Sequence, residues 1–134
     1  MPTKRFAAVA LTALLVFTGA ACGDDKESES EEAAENIIVP DAQVTSGLAA
    51  SQKLMSDIQS GAVSNVEKEL DELHEGWEKY EGTVKKNEAS LYIDFEDAIA
   101  AFQKAIKAKN STDATAAATK FANTAKSYLA KHPG

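Results

Sequence analysis

From residue 37 to the C-terminus apolar residues recur at intervals of three and four, and nowhere do they alternate with period two over the length of a strand. Ala, Lys, Glu and Leu outnumber β-branched residues there, which favours helix. Ile37-Ile38-Val39-Pro40 reads as a short extended entry, because the residue before proline avoids helical angles. Val44, Leu48, Met55 and Ile58 mark one face of a first helix over Asp41 to Ser60, with Gly61 as its stop and Gly47 weakening its first turns. The second helix has the clearest pattern. Val63, Val66, Leu70, Leu73, Trp77, Tyr80 and Val84 form a seam of the kind buried in a bundle. Ser64-Asn65-Val66-Glu67 stands before it as a capping box, and Lys85 and Lys86 suit its C-terminus.

Asn87 is the expected cap of a third helix from Glu88 to about Lys109. Its apolar face combines Leu91, Phe95, Ala98, Phe102 and Ala105 with Tyr92, Ile99 and Ile106. Asn110-Ser111-Thr112-Asp113 reads as a turn, and a fourth helix follows to about Lys131 through Ala114, Ala117, Ala118, Phe121, Ala125, Tyr128 and Leu129. Its alanines favour the helix and permit close approach to neighbours. Four amphipathic helices with short links predict an all-α domain over 37–134, an up-down four-helix bundle.

The first residues follow another pattern. Lys4 and Arg5 precede 13 apolar residues, Phe6 to Thr18, and then Gly19-Ala20-Ala21-Cys22. That order is an export signal over 1–21. Its small-small-Cys ending resembles the lipobox of bacterial lipoproteins, with Gly19 where Leu or Val is commoner. The resemblance implies that Cys22 is diacylated (palmitate being a typical chain) and becomes the new N-terminus. Without the lipid, Cys22 would be a lone thiol in an exported chain, where cysteines normally come in pairs. A spanning anchor is the competing reading. Phe6 to Gly23 gives 18 uncharged residues, the lower limit for about 30 Å of hydrocarbon. Its Thr and Gly content and the missing stop-transfer charges argue against it.

Charge is uneven. From Cys22 onward 21 acids face 12 Lys or Arg, and residues 23–36 alone hold seven acids and one lysine. Such a run buries too little apolar surface to offset its ordering entropy, so 22–36 is expected to be a disordered acidic linker. As a flexible chain it would span roughly 20 Å and hold the domain off an anionic membrane. The sign also argues against nucleic acid, which demands a basic face.

Catalytic signatures are sparse. No Gly-rich phosphate loop, His-Glu-x-x-His pair or Gly-x-Ser-x-Gly elbow occurs, and there are two histidines. The chain is not expected to be an enzyme. One constellation remains: Glu67, Asp71, His74, Glu78 and Glu81 follow at four, three, four and three residues, a stripe beside Trp77 without Lys or Arg. Stacked carboxylates repel by a few tenths of a kcal/mol per pair and need a partner, a cation or solvation. With the second and third helices antiparallel about Asn87, Glu81 falls opposite roughly residue 94 and Trp77 opposite 98. Glu81 and Glu96 then meet near Tyr92. Carboxylates on facing helices hold iron-like cations, which prefer O and N ligands. Glu81, Glu96, His74 and Glu78 are therefore candidate ligands for a divalent or ferric cation, flanked by Trp77 and Tyr92. Against a single site, His74 and Glu81 lie about 10 Å apart along the axis. The competing assignments are a solvated acidic face, a bond from Glu96 to Tyr80 or a lysine such as Lys85, and core packing for Trp77.

Trp77-x3-Glu81-x3-Lys85 followed by Tyr92-x3-Glu96 resembles small helical domains of bacterial extracytoplasmic iron-uptake components of the imelysin type, over about residues 63–108. That pattern has Glu three residues after His, where this chain has Trp77, followed by Glu78. The resemblance implies a lipid-anchored module on the extracytoplasmic side of the cell membrane that binds a cation or docks on a membrane transport component in iron or metal uptake. The alternative is a structural or protein-interaction lipoprotein of the envelope with no small ligand. A buried Glu81–Glu96–Tyr92 cluster lacking a basic partner would favour the first; salt-bridged or exposed carboxylates would favour the second.

Overall fold

The computed structural model describes residues 38–134; the export segment, Cys22, the acidic linker and Ile37 lie outside them. The described chain is helical: α1 (Asp41–Ser60), α2 (Val66–Glu78), α3 (Glu81–Asn87), α4 (Ala89–Lys107) and α5 (Ser111–Lys131). No strand occurs among the described residues, and no helix there is long and apolar enough to cross a membrane.

The first helix has the expected bounds. Gly61 ends it at φ 72°, a left-handed conformation that glycine adopts without steric cost, and Ala62 N–H returns to Asp57 O at 3.0 Å. Before it, Val39 N–H donates to the buried Thr83 hydroxyl at 2.8 Å, which ties the extended entry to α3.

Two expected caps move. The capping box does not form as read: the cap is Asn65, whose side chain accepts from Lys68 N–H at 3.1 Å, one residue later than Ser64. Asn87 is not a cap but the last residue of α3, and its amide donates to the Tyr128 hydroxyl at 2.9 Å. At the last junction Asn110 accepts from Asp113 N–H at 3.1 Å and donates to the Asp113 carboxylate at 2.6 Å, so α5 begins at Ser111.

The larger correction is to the second helix, which does not run unbroken to Lys86. It stops at Glu78, turns at Lys79-Tyr80, and resumes as α3. Tyr80 N–H bonds back only three residues, to Trp77 O, while Thr83 and Val84 N–H both use Tyr80 O. The turn lets two nearby aromatics serve different neighbours. Trp77 meets Phe95 of α4 at 4.9 Å, and Tyr80 reaches α1. Accordingly α2 packs mainly on α1 and α3 on α4.

The most extensive pairing is α4 with α5; α1 lies against both α2 and α5, so the helices close a circuit around one core. Trp77, Phe95, Phe102, Phe121 and Tyr128 are the largest side chains sealed in it. Each such burial is worth about 1.5–3 kcal/mol. The expected faces of all the helices point inward, with Val63, Val66, Leu91, Tyr92, Ile106, Ala118 and Leu129 at the core's edge. Glu88 fastens the end of α5, accepting from Lys131 at 2.8 Å and lying 3.2 Å from His132 Nε2.

Candidate functional site

Trp77 organises the region where the carboxylate pattern predicts a cation. It is fully buried, Tyr92 stacks on it at 6.2 Å with planes 17° apart, and Tyr80 meets it edge-on at 5.2 Å. Its indole N–H donates to the Glu96 carboxylate. The two residues expected to flank a ligand are thus stacked together, and one candidate ligand is occupied by the indole of Trp77. A hydrogen bond to a charged acceptor is among the stronger kinds, and it satisfies a half-buried carboxylate from within the protein. The Lys85 ammonium stands 5.2 Å from the Tyr92 ring centre, so a basic group sits at this cluster.

The remaining candidates spread out. His74 Nδ1 is 3.4 Å from Glu78 Oε1, both side chains about half exposed (51% and 54%), as expected for helix neighbours four apart in solvent. Glu67, Asp71 and His74 border a shallow recess of about 350 Å³ that Gln103 and Lys107 of α4 complete, so the acidic stripe faces a lysine. Glu81 begins α3, past the break, and no longer continues the α2 stripe. Among the described residues no three or more His, Cys, Asp or Glu are placed to hold a metal ion. Glu81, Glu96, His74 and Glu78 therefore do not converge as a ligand set.

A different feature emerges between α1 and α2. The Tyr80 ring lies against Gly47, where an added Cβ would come within 2.3 Å of Cε1. The Tyr80 and Ser51 hydroxyls are 2.9 Å apart and both residues are buried. Burial pushes the Tyr80 hydroxyl up to about 12, against the opposing bond from Ser51, so the phenol stays protonated. Beside this pair opens a cleft of about 360 Å³, walled by Val39, Ala50, Leu54, Leu73 and two glycines, Gly47 and Gly76. The exposed Gln43, Glu72 and Lys79 stand at its mouth.

The sequence pattern does not single out Ser51 or Gly76, and it offers the Tyr80 hydroxyl only as a partner for Glu96, whereas Tyr80 pairs with Ser51 and Glu96 with Trp77. The available signal is two glycines inside helices, where each costs about 1 kcal/mol relative to alanine. Compared with family models, curated proteins and solved structures, the chain matches none.

Proposed function

We propose that the chain is a bacterial lipoprotein, held on the extracytoplasmic side of a membrane by lipid on Cys22 and presenting a helical module that binds rather than catalyses. The observation that carries the anchor is Cys22 itself, the chain's lone cysteine, placed directly after Gly19-Ala20-Ala21 at the end of an apolar run with a basic start. The acidic stretch that follows spaces the module from the bilayer. In this reading α2 and the short α3, which lies between α2 and α4 in the chain, count together as one broken column of an up-down four-helix bundle. Both histidines lie beside glutamates of the described chain, His74 by Glu78 and His132 by Glu88. The Trp77–Glu96 bond and the position of Lys85 support a module satisfied without a cation on that face.

The test is metabolic labelling with palmitate and fractionation of the full precursor. The parent takes label and pellets with membranes; Cys22→Ser loses both properties. A Cys22→Ser protein that is processed and still pellets with membranes would overturn the anchor.

A further inference from the structure

Two hydroxyl groups share one hydrogen bond in the lining of the α1–α2 cleft. Ser51 and Tyr80 bring two O–H hydrogens. Whichever residue donates, one hydrogen is used between them at 2.9 Å, and the other O–H is left to turn toward the cleft that both residues line. Ser51 is 5% and Tyr80 4% exposed, and both line the cleft. A ligand that places an acceptor in the cleft can take this second hydrogen, a bond worth about 1 kcal/mol net, or about fivefold in affinity. The phenol holds its proton to high pH, so the donor is neutral and persistent.

The walls specify the rest of the ligand. Val39, Leu54 and Leu73 are apolar, and Gly76 exposes backbone where an added Cβ would touch nothing within 4 Å. Gly76 therefore answers no packing constraint and no positive φ; its effect is to keep the cleft open. Charged groups are confined to the mouth, and Glu72 there is already bonded to Lys68. At about 360 Å³ the volume lies near the lower end of small-molecule sites, which run from about 300 to 1,000 Å³. We infer that this cleft binds a small, uncharged, largely apolar molecule with one hydrogen-bond acceptor, a ketone, ester or ether oxygen, directed at the Ser51–Tyr80 pair. This rests on the binding-module half of the reading above and is independent of the lipid.

The probe is prodan, a neutral naphthyl ketone whose emission moves to the blue in apolar surroundings. It is titrated into the full mature chain carrying Cys22→Ser, so that no acyl group competes. The expected result is one saturable, blue-shifted site per chain. Gly76→Leu, which fills the cleft and favours the helix, abolishes it. Ser51→Ala with Tyr80→Phe removes both donors together, leaves no orphaned partner, and weakens binding about fivefold, the equivalent of one ordinary hydrogen bond. Ile93→Ser, which removes an exposed apolar side chain elsewhere (59% exposed), leaves binding as in the parent. Circular dichroism melts establish that each variant is folded. No saturable binding by the parent, or equal binding by a folded Gly76→Leu, would overturn the cleft as the site. Loss in Ile93→Ser alone would place the dye on the outer surface and would overturn the cleft equally. Membrane attachment of the parent is read separately, so failure of the ligand and failure of the anchor remain distinct.

Discussion

Along α4 and α5 buried alanines let two helices close on each other; along α1 and α2 two glycines stand beside a cleft. Ala98, Ala105, Ala114, Ala117 and Ala125 are all buried, and Phe95 and Phe121 interlock between the pair at 5.1 Å. On the other side Gly47 admits the Tyr80 ring, while Gly76 faces open space. Methyl groups favour helix and fill volume together; glycine forfeits both, so it persists where space itself is needed. The tyrosines differ in the same sense. Tyr80 closes on another buried hydroxyl, whereas Tyr128 on α5 accepts from the exposed Asn87.

The largest expected effect that would break this contrast is alkaline. Tyr80 ionises near 10 in the unfolded chain and at about 12 in the folded one, burial being the cause. A folded value above the unfolded one means that the stability is complete below pH 10 and is lost as pH rises toward 12. The loss amounts to about 2–3 kcal/mol, with roughly half gone by pH 11. Urea midpoints of the parent between pH 9 and 11 should fall more steeply than those of Tyr80→Phe, in which the other tyrosines and the lysines still titrate. Parallel curves would mean that Tyr80 is no more sealed than an ordinary surface tyrosine.

Next in size is Gly47→Ala. Its methyl would press on a ring bounded by Trp77 on one side and held by Ser51 at its tip. Overpacking of this kind costs about 1–3 kcal/mol, more than the roughly 1 kcal/mol that alanine returns through helix propensity. A lower thermal midpoint is expected, and Tyr80→Ala should relieve the clash when combined with it. A Gly47→Ala protein as stable as the parent would show that the Tyr80 ring moves freely, and the cleft would lose its fixed wall.

How far these features are legible in the sequence follows from the range over which each signal acts. The seam from Leu70 through Trp77 to Val84 is buried as its spacing predicts, because periodicity reports which side of a helix avoids water. The same periodicity hides the break at Lys79-Tyr80: Trp77, Tyr80 and Val84 fit a continuous helix, and only contacts from α1 and α4 require the turn. Register across helices departs from the expected one by less than a turn, with Trp77 meeting residues 95 and 96 rather than 98. That small offset delivers Glu96 to the indole. Gly47 reads as a weak point in α1, although such a glycine equally marks close approach by another chain segment. The carboxylate stripe is real as a pattern on α2, but Glu81 lies beyond the break and Lys107 arrives from a helix distant in sequence.

The smallest effect carries the opposite sign and isolates Gly76. Nothing lies within 4 Å of a Cβ added there, the residue sits within the 13-residue α2, and its φ is not positive. Gly76→Ala should therefore gain helix propensity and a stiffer unfolded chain without meeting a neighbour, stabilising the ligand-free protein by about 0.5–1 kcal/mol. For a domain near 100 residues that corresponds to a few degrees in Tm. The same single methyl, placed at Gly47 and at Gly76, is thus expected to move the melting curve in opposite directions. A destabilised Gly76→Ala would mean that α2 closes on α1 in solution and that the glycine is a packing device like Gly47. A stabilised one would mean that no contact demands glycine at this position and that α2 stays below its attainable stability there.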